Sequence, residues 1–599
     1  MSHTFHIPVL GLGYSVDTPL KVARYGIAST VSIVDDELLE RMRKYHTDIN
    51  QIDFDPIDIK SDDSRARRVT AYLNLLNYLV DAQFEHLKQL PFGEANDLER
   101  YFDLLPPESQ LKQGYELMLE YPDAAGKRIF QNLLRNYLQK GSIDVNIMSK
   151  VDKMNFDTQG RYTGDVNTDA LAALRGFAQS NLQSSIILSA GMNLRLYSYL
   201  EQFPDFFPDD EGHLRKKVIL KVSDYRSALI QAKYLAKKGI WVSEFRVESG
   251  LNCGGHAFAT DGLLLGPILE EFKQKRQLML AELLTMYNDA LAQKGVTLMA
   301  TPIQRISVQG GIGTAHENRF LMEYYQLDGT GWGSPFLLVP EATNVDAETL
   351  KHLVAAKDDD YYVSDASPLG VLFNNFKNSS IQQQRLQRME QNRPGSPCTK
   401  KYLCTNTEFT EQPICTASRE YQNLKIKQLQ ASSLSADVYE EQYNSVTEKI
   451  CLCEGLCSSA YIKNELLKPK ESAAIAICPG PNLAFFSKTY SLEEMVKHIY
   501  GQVNLLENVQ RPNLFVNELN LYIEHLRKDL HIHLKGWTDK KEKYLIKFNQ
   551  QLQSAIGYYK DLLPQITNET QDYLDKMYTE LIAAEKSLQA LHDGMQLTQ

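Results

Sequence analysis

Residues 248–256 read Glu-Ser-Gly-Leu-Asn-Cys-Gly-Gly-His, and two more glycine-rich turns follow, Gln309-Gly-Gly-Ile-Gly-Thr314 and Asp328-Gly-Thr-Gly-Trp-Gly-Ser334. Each closes a short apolar run. Paired glycines let a backbone take left-handed dihedrals and approach a ligand closely, so that amide groups converge on an anion. Gly310 and Gly311, followed by Ile312, Gly313, Thr314 and a helix-forming stretch, predict a phosphate at a helix N-terminus. Gly329, Gly331 and Gly333 offer a partner loop. Gly254 and Gly255 run directly into His256, whose imidazole is suited to donating to a ring system or acting as a base near neutral pH. Tight structural turns and a satisfied structural histidine are the plainer readings of these residues. Cys253, beside close-packed glycine, reads as a small buried residue before it reads as a reactive thiol.

A second chemical cluster lies further along. Cys451, Cys453 and Cys457 fall within seven residues, and Cys478 stands before a proline. Four thiolates can hold zinc or an iron–sulfur cluster, although the spacing departs from the C-x2-C-x2-C ferredoxin run. Cys398, Cys404 and Cys415 are alternative members of such a shell, and ordinary thiols are the plainer reading. Eight cysteines in 599 residues are too few for a disulfide scaffold.

The elements that must position these groups alternate strand with helix. Strand-like runs are His6–Leu12, Ile27–Val34, Asp144–Met148, Ser185–Ser189, Lys216–Ser223, Trp241–Glu248 and Ile303–Val308. Helical periodicity follows most of them, at Asp169–Ser180, Ala228–Lys238, Ile268–Leu291 and Glu317–Gln326. Loops of ligand type after the strands favour a parallel α/β barrel over a sandwich, while a doubly wound open sheet shares the same repeat. The readings divide the chain into a barrel (1–35 and 141–379), a helical insertion (36–140) that covers the mouth or builds an interface, a cysteine-bearing segment (380–485) and a helical C-terminal part (486–599). Lys221 and Asn146, at strand ends, line the expected mouth. Lys150 and Asn193 are weaker candidates of the same kind. Lys221 would stabilise an anionic oxygen; a lysine snorkelling at the rim is the alternative.

A net charge of -11 argues against broad nucleic-acid or anionic-membrane binding. The first residues lack a secretory pattern and no apolar run reaches about eighteen residues, so a cytoplasmic location is expected.

The stretch from Lys216 to Phe258 resembles the central part of the nitronate monooxygenase family, and is comparably similar to flavin-dependent enoyl reductases of lipid and polyketide synthesis. Val222-Ser223, Lys238-Gly239, Gly254-Gly255-His256, Gln309–Gly313 and Gly329–Phe336 with Glu341-Ala342 occur in the family's order. The resemblance spans residues 8–34 and 142–378. It implies a TIM (β/α)8 barrel binding FMN, with a large helical insertion and a mainly helical C-terminal extension added here. It also implies that Gly310, Gly311, Gly331 and Ser334 lie near the phosphate, that the isoalloxazine packs against Gly11-Leu12-Gly13, and that His256 faces the substrate. Asn252-Cys253 departs from the Glu-Ala of nitronate-oxidising members, so the histidine's role as general base does not transfer directly. The expected function is an FMN-dependent oxidoreductase acting on an activated or unsaturated small or acyl substrate, with a redox or carrier protein or a second copy of the chain as partner. Alternatives are a nitronate monooxygenase in the narrow sense and a non-enzymatic scaffold that binds a protein.

Overall fold

In the computed structural model, residues 2–149, 152–157, 159–189, 191–254, 262–297, 300–533 and 539–596 are described. Eight parallel strands close a barrel in chain order: β1 (Phe5–Ile7), β2 (Ala28–Ser32), β3 (Ile143–Ile147), β4 (Ser185–Leu188), β5 (Lys217–Val222), β6 (Val242–Glu248), β7 (Arg305–Gln309) and β8 (Gly329–Gly331). Closure comes from β1, which pairs His6 with Ala28 on one side and with Gly331 on the other. The expected (β/α)8 barrel is therefore present, and the open doubly wound alternative is excluded.

Period-two alternation turns Asp144, Lys221, Glu244, Arg246, Glu248 and Gln309 inward, while Val145, Leu220, Phe245, Val247 and Val308 face the surrounding helices. Most barrels fill this space with branched apolar residues. Here Arg246, 2% exposed, bonds Glu244 (2.9 Å) and Asp144 (3.3 Å). Burial would raise Glu244, but Arg246 and Arg305 hold it down at about 2; Asp144, farther from the guanidinium, is raised by burial.

Helix α1 (Thr18–Val22) follows β1, its start fixed by Pro19 in the first turn. Between β2 and β3 lie α2 (Asp36–Ile49), α3 (Ser64–Gln89), α4 (Asp97–Leu104), α5 (Gln110–Glu120) and α6 (Ala124–Tyr137). This helical stretch is flanking, not capping: α3 packs along α2, α1 and the helix after β3, α7 (Asp169–Gln179). The outer ring continues with α8 (Leu194–Tyr199), α9 (Tyr225–Ala236), α10 (Leu265–Gln293) and α11 (Ala315–Tyr324).

Beyond β8 come α12 (Ala347–Ala355), an antiparallel hairpin of β9 (Tyr361–Ser364) and β10 (Phe373–Phe376), and the helices α13 (Ser380–Glu390), α14 (Arg419–Ala431), α15 (Ala436–Thr447) and α16 (Leu452–Lys463). Then follow α17 (Leu492–Ile499), α18 (Leu514–His533), α19 (Asp539–Leu562) and α20 (Gln571–Gln596); the last three pack on one another, and α18 and α19 also meet α10. Among the described residues no helix is long and apolar enough to cross a membrane.

Candidate active site at the barrel mouth

Two cavities open at opposite ends of the barrel. The larger lies at the N-terminal end over Asp144, Glu244 and Arg246. The other lies where strands β2 to β5 end, and its walls include Ser32, Asn146, Ser189 and Lys221. Side chains at C-terminal strand ends are held by the sheet yet free to differ from the core, which is why barrel chemistry gathers there. The mouth is therefore the candidate site, although it is the smaller space.

Its floor is organised by Glu248, the last residue of β6. One carboxylate oxygen, Oε1, accepts from Lys221 Nζ (3.1 Å), Asn252 Nδ2 (2.6 Å) and Gln309 Nε2 (2.7 Å). Glu248 is 4% exposed, so the lysine's charge is compensated inside the protein and its ammonium is fixed at the cavity wall. The other oxygen, Oε2, has no partner among the described residues, and neither do Ser32 Oγ or Asn146 Oδ1. A buried polar atom without a partner costs on the order of 1–3 kcal/mol, so such atoms gathered near a cavity mark a place for a ligand.

The turn after β7 shows the same imbalance in its backbone. Gly310 and Gly311 have φ of 105° and 80°, conformations that glycine alone takes freely. The carbonyls of the turn are pinned: Arg511 Nη2 donates to Gly311 O (2.5 Å), Asn482 Nδ2 to Ile312 O (2.9 Å), and His498 Nε2 lies 2.9 Å from Gly313 O. Since a peptide group points its N–H opposite to its C=O, fixing the Gly311 carbonyl also fixes the Ile312 amide. The amide of Gly310 faces Gly331 in the β7–β8 ladder, whereas those of Gly311, Ile312 and, in the loop after β8, Ser334 have no acceptor among the described residues. Thr314 caps α11, and Glu317 in its first turn takes the amide of Gly313 (2.9 Å) and Arg511 (2.6 Å). The unaccepted amides of Gly311, Ile312 and Ser334 stand at the same end of the barrel as the cavity wall with unpartnered Ser32 and Asn146, the two kinds of group that a phosphorylated ring cofactor would need. A cover lies over the turns: a Cβ on Gly480 would come within 2.7 Å of Ser334 Oγ and 3.0 Å of Leu251 O.

The remaining predicted residues separate. Gly11 lines the mouth, but Gly13 faces α16, donating its amide to Leu456 O (2.9 Å). Gly254 lines the mouth and gives its amide to Cys478 O (3.0 Å). Gly331 packs against His6 and Gln309, and Gly333 against Cys253 and Pro8. Cys253 is buried, its thiol donating to Cys478 O (3.2 Å), and burial raises its pKa. Asn193 caps α8 and bonds Ser149 O (3.0 Å). His256, Gly255 and Lys150 lie outside the described residues.

The mouth has a roof that the sequence did not announce: Phe373 of β10, Tyr402, Leu403, and Leu452, Cys453 and Leu456 of α16. Cys453 and Cys478 both line the cavity, whereas the Cys457 thiol turns away to donate to Asp35 Oδ2 (3.2 Å). Among the described residues no three His, Cys, Asp or Glu side chains are already arranged to hold a metal ion. Glu248, Tyr402 and Arg511 were missed from sequence. The run Glu244-Phe-Arg-Val-Glu248, charged at every second position, is the one signal that foretold a polar barrel interior.

No family model matches this chain, and no curated protein matches it.

Proposed function

We propose that the mouth binds flavin mononucleotide and that the chain is an FMN-dependent oxidoreductase acting on an unsaturated or otherwise activated acyl substrate. The observation that carries this reading is the pairing, at one end of the barrel, of unaccepted amides after β7 and β8 with unpartnered Ser32 Oγ and Asn146 Oδ1 at the cavity wall. A free phosphate would answer only the first need; a phosphorylated heterocycle answers both.

When bound, the flavin supplies hydride or electron-pair exchange. The protein's own residues hold and orient. The Gly311, Ile312 and Ser334 amides would take the phosphate. Asn146 Oδ1 would accept an N–H from the ring, and Ser32 would bond beside it. Lys221, anchored on Glu248, places a positive charge where a ring or substrate oxygen becomes negative, and it need not reorganise to do so. Leu369, Phe373, Leu403, Leu452 and Leu456 exclude water and present an apolar surface, which suits an acyl chain better than a compact nitronate. The role of His256 as a hydrogen-bond donor to the substrate carbonyl rests on the family resemblance alone.

The test is the visible spectrum of the purified full chain, with chromatography of whatever acid releases. FMN is expected in near-equal amount to protein. Reduction under anaerobic conditions should then be reversed by enoyl thioesters. Folded protein that holds no flavin even after incubation with FMN would sink the proposal. Reoxidation by oxygen only, with nitronates as the sole electron donors, would move it to the narrower nitronate reading.

A further inference from the structure

Six of the eight cysteines gather beside the roof of the mouth. Cys398, Cys415, Cys451, Cys453 and Cys478 belong to one buried apolar cluster, and Cys404 packs against it. The sulfurs of Cys398 and Cys404 are 3.9 Å apart. That is far longer than a disulfide of about 2.05 Å. It is close to the roughly 3.8 Å that separates two thiolates on a tetrahedron edge around a zinc ion with bonds of about 2.3 Å. Cys415 and Cys451 lie in the same buried cluster as Cys398.

The local backbone gives a second, independent argument. Residues 391–418, between α13 and α14, carry three of these thiols and contain no helix or strand, only isolated bridges. Within this loop Asn392, Cys398 and Lys401 hold left-handed φ of 53°, 56° and 58°. Non-glycine residues pay on the order of 1 kcal/mol or more to stay there, and a long irregular loop inside a compact region needs something to fix it. Cys451 is the N-cap of α16 and makes no side-chain cap bond.

We propose that Cys398, Cys404, Cys415 and Cys451 form a binding site for a single tetrahedral thiophilic cation, zinc. The thiols as they stand do not yet surround one point at ligand distance; binding draws Cys415 and Cys451 onto the Cys398–Cys404 pair. Each ligand thiol gives up its proton to solvent as its sulfur bonds the ion, and no electron is transferred. The site serves the roof. Tyr402 and Leu403 stand between Cys398 and Cys404, and Leu452 and Cys453 directly follow Cys451, so four of the six roof residues are tied to ligands. The ion would fasten two separate chain segments over the mouth, and this holds whether or not the ligand below is a flavin.

The test uses the full chain. Metal analysis of the purified protein should give about one zinc per chain, and Cys398→Ser and Cys404→Ser should each lose most of it while Cys457→Ser keeps it. Cobalt(II) added to protein stripped of metal should develop an intense thiolate-to-metal charge-transfer band, lost in the same two variants. This second measurement on the unmutated chain stands even where a variant fails to fold. Absence of zinc as isolated together with no cobalt band, full zinc in Cys398→Ser, or iron with acid-labile sulfide in place of zinc would each overturn the proposal.

Discussion

Replacing Arg246 with methionine tests whether the barrel is held by charge pairing. The guanidinium is buried and is shared between Glu244 (2.9 Å) and Asp144 (3.3 Å), so methionine would leave two carboxylates facing each other out of water. Removing one partner of a buried ion pair costs about 3–5 kcal/mol, mostly from the uncompensated charge left behind. Arg305, 3.7 Å from Glu244 and acting on Asp144 as well, offsets part of this. For a domain of barrel size the loss corresponds to a fall of roughly 6–20 °C in melting temperature. The dependence on pH separates charge from shape. In the variant, burial without a cation would raise the folded-state pKa of both carboxyls above their unfolded values. The folded state then binds more protons than the unfolded one, so the variant's stability is retained at low pH and lost as pH rises through those raised values. Calorimetry at pH 5 and pH 7.5 should show a much larger deficit at the higher pH. The triple change Arg246→Met with Asp144→Asn and Glu244→Gln should recover most of it. An equal deficit at both pH values, with no recovery in the triple variant, would mean that Arg246 acts by filling space and that the electrostatic reasoning is wrong.

Two other outcomes follow from the same structure. Gly311→Val should destabilise by about 2–6 kcal/mol, the sum of a left-handed β-branched residue and overpacking, because a Cβ would lie 2.5 Å from Leu251 Cδ1 and 2.7 Å from Leu514 Cδ1; its folded fraction should also retain less flavin, and an unchanged melting temperature with full flavin would contradict both. Burial lowers His3 to about 4 and His6 to about 3, from an ordinary 6.5. The unfolded chain therefore binds more protons below 6.5, and stability present above pH 6.5 should drain away towards pH 4, by on the order of 3 kcal/mol for each histidine. Acid titration of the unfolding transition should show this slope, and His3→Gln should flatten it; an unaltered slope would remove His3 from the account.

The repeat of strand and helix was legible because each strand from β2 to β7 carries its own apolar run, and each falls within a residue or two of where that run suggests. Strand β8 was not. Its three residues, Gly329, Thr330 and Gly331, have no apolar alternation, and only pairing with β1 and β7 makes them a strand. Closure and the roof are likewise properties of distant partners. Nothing near Tyr402 says that its hydroxyl will reach Asp35 (3.1 Å), and nothing near Arg511 says that it will bond a turn two hundred residues earlier. Lys221 and Asn146 could be found as strand-end residues, since position in a strand is local information. Glu248 was visible as the end of a strand, but its place as common acceptor for three side chains needs β5, β6 and β7 side by side.

The contacts of the first loop with the last part of the roof set an order of events in the cell. Gly13 donates to Leu456 O (2.9 Å), and the Tyr14 hydroxyl donates to Ala476 O (2.7 Å). A ribosome adding roughly 5–20 residues per second needs about 20–90 s to travel from the first of these partners to the last. Over that interval the apolar mouth of the growing barrel has no cover of its own, and its earliest loop has nowhere to dock. Such long-range closure is slow and exposes surface that aggregates. Chains that stop between residues 332 and 475 should therefore accumulate on chaperones or in inclusion bodies, even though every barrel strand has already been made.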